Sequence, residues 1–114
     1  MRALIKAIKA LSDEARLRIL NILLEKECCV CEVMQALDIS QSRASRNLRI
    51  LHDVGFLKTR HDGVWIVYSV DRQPANHYAT SLTKLLRDYH ISNKILIQDK
   101  ERLKKATRIG PGCR

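Results

Sequence analysis

VCEVMQALDISQSRASRNLRILHDVG, residues 30–55, is the stretch on which the fold turns. Val33, Met34 and Leu37 fall at three- and four-residue steps, which predicts a short helix with one buried face. Asp38-Ile39-Ser40 then makes a tight turn whose Ser40 can cap a second helix. That second helix runs from Gln41 to about Val54. It stops at Gly55, a residue able to take the left-handed conformation just past a helix end. Ala44, Leu48 and Leu51 face inward, which leaves Gln41, Ser42, Arg43, Ser45, Arg46 and Arg49 on or near the outward side. Two helices joined by so short a turn make a helix-turn-helix.

The flanks extend this unit. Phe56 to Arg60 and Val64 to Val70 are rich in strand formers, and His61-Asp62-Gly63 between them is a hairpin signal. Upstream, Leu4, Ile5, Ile8 and Leu11 predict a helix over 3–11, and Ser12-Asp13-Glu14 supplies the cap and acidic first turn of another that runs to about Leu24. The apolar positions of that second helix are too numerous for a thin stripe, so it is expected at the centre of the core. Glu25-Lys26-Glu27 is the polar break after it. Beyond Pro74 a long helix is predicted, with Tyr78, Leu82, Leu85 and Leu86 in step and a more irregular continuation through Ile95, Leu96 and Leu103. The expected fold is mainly α with a small β-hairpin, a dimeric winged helix-turn-helix: one domain over 1–106, then a flexible C-terminal tail over 107–114. The long helix has more apolar length than one small domain needs, so with residues 3–11 it is the expected homodimer interface.

A chain of 114 residues suits one core rather than two. Lysine and arginine outnumber the acids 21 to 12, a formal charge of +9 that calls for a polyanionic partner. Nucleic acid leads, with an acidic membrane surface as the rival. No apolar run approaches the roughly 20 residues that cross a bilayer, and MRALIKAIKAL is too punctuated by lysine for a secretory signal. The chain is therefore expected in the cytoplasm, without a membrane partner. Thiols stay reduced there, so a tight cysteine cluster points to metal binding or redox sensing rather than a disulfide framework. Such a cluster is present: Cys28, Cys29 and Cys31 fall within four residues, directly upstream of the helix-turn-helix.

If the second helix enters a major groove N-terminus first, Gln41, Ser42, Arg43, Ser45 and Arg46 are the side chains able to reach base edges. Arg43 or Arg46 can read guanine in bidentate fashion, Ser42 and Ser45 suit phosphates, and Arg49 suits a phosphate or water. Lys58, Arg60 and His61 of the hairpin would lie along the backbone or minor groove and add salt dependence with little sequence information. A twofold dimer implies double-stranded DNA carrying an inverted repeat.

Leu11-Ser12-Asp13-Glu14-Ala15-Arg16-Leu17-Arg18-Ile19-Leu20, Glu27-Cys28-Cys29-Val30-Cys31-Glu32-Val33, Ile39-Ser40-Gln41-Ser42 and Ser45-Arg46-Asn47-Leu48 together resemble the ArsR/SmtB family of metal- and metalloid-responsive repressors, over nearly all of residues 3–90. The resemblance implies a dimeric winged helix-turn-helix repressor that leaves its operator when an inducer binds. Glu27-x-Cys29-Val30-Cys31-Glu32 looks like the arsenite- and antimonite-sensing branch, and it carries over Cys29 and Cys31 as ligands. That branch often has a third cysteine three residues after the second; this chain has Met34 there, with additional thiols at Cys28 and Cys113.

Trivalent arsenic and antimony are soft and thiophilic, suited to three thiolates on one side. On a regular helix Cys28 and Cys31 would be neighbours, while Cys29 and Cys31 would stand about 200° apart. Gathering the latter two onto one ion should therefore unwind or tilt the start of the short helix, and with it the recognition helix. A 100-fold loss of DNA affinity needs about 2.7 kcal/mol of such coupling. Thiolate-rich sites also accept cadmium, lead or zinc, and neighbouring thiols can oxidise instead. An enzyme, such as a small thiol-dependent oxidoreductase, fits poorly: no anion-binding loop precedes the thiols and no strand-to-helix Cys-x-x-Cys is present.

Overall fold

The computed structural model describes residues 1–88 and 93–109. In chain order they form α1 (Arg2–Leu11), α2 (Glu14–Leu23), β1 (Cys28–Cys29), α3 (Val30–Leu37), α4 (Gln41–Val54), β2 (Leu57–Asp62), β3 (Trp65–Val70), α5 (His77–Asp88) and α6 (Lys94–Lys105). The architecture is a mainly helical winged helix-turn-helix. Its helix-turn-helix is α3 and α4, and β2 with β3 is the wing.

The caps read from the sequence form. The Asp13 side chain accepts from the Arg16 N–H at 3.1 Å, and Ser40 Oγ accepts from the Arg43 N–H at 3.2 Å. Each satisfies an N–H that its helix leaves without a carbonyl partner. Asp38 turns the chain out of α3 in the left-handed region at φ 55°. Gly55 does the same after α4 at φ 106°, where a Cβ would also stand 3.3 Å from Asn76 Cβ. α2 is central, as its composition predicts: Ala15, Ile19, Leu20, Ile22 and Leu23 are buried. Ile19, Leu20, Ile22 and Leu23 join Leu37, Leu48, Leu51 and Phe56 in one core, which fixes α3 and α4 against the body.

The structure departs from the sequence-based expectation in three places. Cys28 and Cys29 belong to a strand, not to the start of a helix; β1 pairs antiparallel with β3, Cys28 opposite Tyr68 and Cys29 opposite Val67, making a sheet of order β1-β3-β2. A two-residue strand has no periodicity to read, and the open edge of β3 decides it. The expected long helix is two helices. Asn93 caps α6, its side chain accepting from the Ile95 and Leu96 N–H groups at 2.8 and 3.4 Å, and Leu103 of α6 is buried in the main core. The irregular apolar spacing after Leu86 reflects that second helix with a buried face of its own. Third, the start of the expected flexible tail is bonded: Thr107 N–H donates to Gln35 Oε1 at 3.1 Å, and Gln35 Nε2 donates to Thr107 O at 2.6 Å. Residues 110–114, with Cys113, lie outside the described residues. No described helix is long and apolar enough to cross a membrane.

Candidate sulfur site and nucleic-acid interface

Side chains alternate across a strand, so β1 sends Cys28 and Cys29 to opposite faces. Cys28 joins the main core, fully buried, with its thiol 3.5 Å from the Lys26 carbonyl. Burial, reinforced by the charge of Glu32, pushes that thiol up to about 12. Cys29 points the other way, into a small second cluster with Cys31, Val30 and Trp65. The expected trio of thiols is therefore split: Cys28 is a core side chain, held off the pair by the pleat of the sheet. Among the described residues no group of three or more His, Cys, Asp or Glu is placed to hold a metal ion.

The pair itself is close. Cys29 Sγ and Cys31 Sγ are 2.9 Å apart, in contact but well beyond the roughly 2.05 Å of a mutual disulfide. The expectation that they would face apart fails because Cys29 is not helical. It is the N-cap of α3, extended at φ −86° and ψ 173°, so its side chain lies back over the first turn, where Cys31 sits. Burial raises the Cys29 thiol, and Cys31 is disulfide-bonded in this structure.

Glu32 organises this end of α3. Its Oε1 accepts from the Cys29 N–H at 3.0 Å, and Lys26 Nζ stands 3.1 Å from its Oε2. Burial works to raise the Glu32 carboxyl, but the Cys29 N–H and Lys26 outweigh it and hold it below the ordinary range. A Glu three residues after the cap is one half of a capping box; cysteine in place of serine or threonine hides the signature.

The site is covered by residues that the sequence reading missed. The Ile109 N–H donates to Cys31 Sγ at 3.2 Å, and Trp65 Nε1 donates to Ile109 O at 3.3 Å. Arg108 lies 5.8 Å above the Trp65 ring, 3.4 Å from Glu32 Oε1 and 2.5 Å from Asp62 Oδ2. At its other end α3 meets α6. Arg18 reaches Asp99 through two bonds of 2.8 Å and donates to Leu37 O at 3.1 Å, while Arg102 donates to Ala36 O at 3.0 Å. The last carbonyls of α3 thus find side-chain donors from α2 and α6, which satisfies acceptors the helix itself cannot.

The α4 surface matches the reading of the sequence. Gln41, Ser42, Arg43, Arg46 and Arg49 are exposed and Ser45 is half-buried. Among the described residues Arg43, Arg46 and Arg49 form no ion pair, so three cations stand along one face. The wing differs. Arg60 remains half-exposed and makes a paired hydrogen bond to Glu27, one bond of 3.1 Å and one shorter. Lys58 shares the groove of Arg60 with Glu25, Glu27 and Arg72. His61 lies on the opposite face of the wing, with Thr59 and Tyr68, and Tyr68 is near enough to feel the charge of Arg49. Of the three wing residues, His61 therefore shares the side of α4.

With this geometry in place, likeness to known proteins becomes informative. Residues 13–59 match the family described as bacterial regulatory protein, arsR family. The chain belongs to the arsR family. It is 43% identical over 67 residues to a cadmium resistance transcriptional regulatory protein CadC homolog of Staphylococcus aureus, covering 58% of this chain and 55% of that one. It is 45% identical over 65 residues to the arsenical resistance operon repressor of Escherichia coli, covering 56% of each. The chain thus spans about half the length of the curated relatives it matches. Among solved structures, reduced HlyU from Vibrio cholerae superposes at a TM-score of 0.66 with 30% identity, over 79% of this chain and 92% of that one. The homodimeric winged helix-turn-helix DNA-binding domain of Mb0332 from Mycobacterium bovis gives 0.64 with 26% identity, over 80% and 83%. In this arsR-family chain the matched stretch holds the sulfur pair and α4, whereas α6 and the bonded segment after it lie outside it.

Proposed function

We propose that this chain is a transcriptional repressor that binds inverted-repeat operator DNA as a homodimer and releases it when Cys29 and Cys31 capture trivalent arsenic or antimony. The observation that carries the reading is the 2.9 Å approach of the two sulfurs at the N-cap of α3, the helix that leads directly into α4. In the reduced protein two adjacent sulfurs suit a soft centre. Each arsenic–sulfur bond forms as a thiol proton leaves with an arsenite hydroxyl as water, and the third place on arsenic keeps a hydroxyl. The new bonds pull on the first turn of α3, and α3 carries the motion to α4.

For DNA, the guanidiniums of Arg43 and Arg46, which form no ion pair among the described residues, are the base-reading candidates, with Gln41 and Ser42 beside them, Ser45 and Arg49 toward the backbone, and His61 and Lys58 adding wing contacts. Arg46→Ala is expected to weaken operator binding about 10- to 100-fold, as loss of a bidentate base contact does, against roughly twofold for Arg60→Ala, whose charge is already engaged by Glu27. The dimer reading rests on an apolar groove of about 420 Å³ between α1 and α5, lined by Ile8, Leu11, Leu17, Leu82, Leu85 and Leu86. The homodimeric relative supports it.

Fluorescence anisotropy of labelled operator DNA, titrated with reduced protein and challenged separately with arsenite, antimonite, cadmium, zinc and peroxide, tests the whole reading. Release by arsenite or antimonite that disappears in Cys29→Ser/Cys31→Ser supports it; release by none of them refutes it. A second reading has an observation of its own, since Cys31 is disulfide-bonded here: a thiol-redox-responsive repressor would answer peroxide and ignore arsenite. Cadmium is the alternative that the Staphylococcus aureus relative raises.

A further inference from the structure

Trp65 is the only tryptophan of the chain, and it lies where three parts of the molecule meet: the wing, the sulfur pair and the segment after α6. Residues 106–109 leave α6 extended and run along α3 toward its N-terminal end. Thr107 exchanges two hydrogen bonds with the Gln35 side chain, which fixes the segment alongside the helix. Ile109 then does two things at once: its N–H donates to Cys31 Sγ, and its carbonyl accepts from the Trp65 indole. Between them Arg108 spans from Glu32, at the head of α3, to Asp62, on the wing, with its guanidinium over the Trp65 ring.

We infer that residues 106–109 are a strap and Arg108 a positioning residue, which together couple the sulfur pair to the wing. This rests on the reading of Cys29 and Cys31 as the inducer site. Once a thiol reductant has opened the Cys31 disulfide, a ligand that takes up Cys31 Sγ removes the acceptor of the Ile109 N–H. Ile109 and Arg108 are neighbours in the chain, so displacing one loosens the other from Asp62 and uncovers the indole. The inducer then reaches DNA by two routes, through α3 to α4 and through the strap to the wing. The second route is not visible in the part of the chain that matches the family, which ends at residue 59.

The charges make the strap hold in one place. Arg108 faces two carboxylates, Glu32 and Asp62; Arg60 lies 3.9 Å from Asp62 but makes its hydrogen bonds to Glu27, and Lys26 pairs with the other oxygen of Glu32. A guanidinium serves this position better than an ammonium, because its planar fork can reach carboxylates on two elements and still lie over a ring.

Trp65 emission reads the strap directly. Reduced full-length protein is titrated with phenylarsine oxide, a dithiol-seeking trivalent arsenical, while equilibrium dialysis measures its binding separately. Binding accompanied by a red shift of Trp65 emission in the wild type, with Arg108→Ala already red-shifted before ligand and Arg108→Lys intermediate, supports the strap. Circular dichroism checks that both variants are folded. Binding without any change in emission overturns the strap and leaves the cysteine reading standing. No binding to the reduced protein overturns both, and an Arg108→Ala spectrum identical to the wild type overturns the strap whatever the ligand does.

Discussion

The two ends of α3 are held in different ways. At the C-terminal end Asp99 is fully buried and takes both arms of Arg18, and Arg18 and Arg102 close on the last carbonyls of the helix. At the N-terminal end the contacts are a pair of sulfurs, one carboxylate and a strap, and several of the partners are exposed. The first end is an anchor whose loss costs folding. The second, once the Cys31 disulfide is reduced, is a set of hydrogen bonds that a ligand on sulfur would exchange for its own bonds. A helix pinned at one end and adjustable at the other can tilt without unfolding, which is what the proposed transmission to α4 would require.

The sharpest way to break this contrast is at the anchor. Asp99→Ala leaves Arg18 and Arg102 beside an emptied buried site, and removing one partner of a buried ion pair typically costs about 3–5 kcal/mol. Urea denaturation should show a much lower midpoint with an unchanged slope; a loss below about 1 kcal/mol would mean the C-terminal end is no anchor. At the other end Glu32→Gln weakens the ion pairs and the bond to the Cys29 N–H, an effect of about 1 kcal/mol, comparable with loss of a helix cap.

That smaller effect has a pH signature. Because the Glu32 carboxyl is held below its ordinary range, its contribution is present above the unfolded carboxylate pKa of about 4.3 and is lost as pH falls through the depressed folded value. The stability gap between wild type and Glu32→Gln should therefore close on acidification below about pH 4, as followed by thermal melts. A gap that persists at low pH would assign the effect to packing. The finest test is kinetic. Burial raises the Cys29 thiol, so little thiolate is present at neutrality, and capture of an arsenical by the reduced protein should quicken steadily from about pH 7 to 9. A rate that is flat over that range would place the ionisation of the attacking sulfur below neutrality.

Much of this arrangement is legible in the sequence, and the parts that are not share a cause. Ser40, Gly55 and the apolar steps of α4 announce their own helix, because caps, C′ glycines and periodicity are local. Gln41, Ser42, Arg43, Arg46 and Arg49 follow from that phase and are exposed as expected. The engagement of Arg60 by Glu27 is different: 33 residues separate them, and only the folding of the wing onto β1 brings them together. Cys28, Cys29 and Cys31 look like one cluster on a line of text. The pleat of a two-residue strand divides them.

The sequence by itself determined the helix-turn-helix, the hairpin, the basic outward face of α4 and the presence of sulfur just ahead of it, since each depends on residues within a few positions of one another. Only the tertiary structure decided which sulfurs meet, that α6 turns back to hold the far end of α3, and that Arg108 reaches Glu32 and Asp62 across 76 and 46 residues. Those outcomes depend on which surfaces are left to be covered once the core has formed. Burial and charge pairing across the whole chain settle them, and no local pattern encodes them.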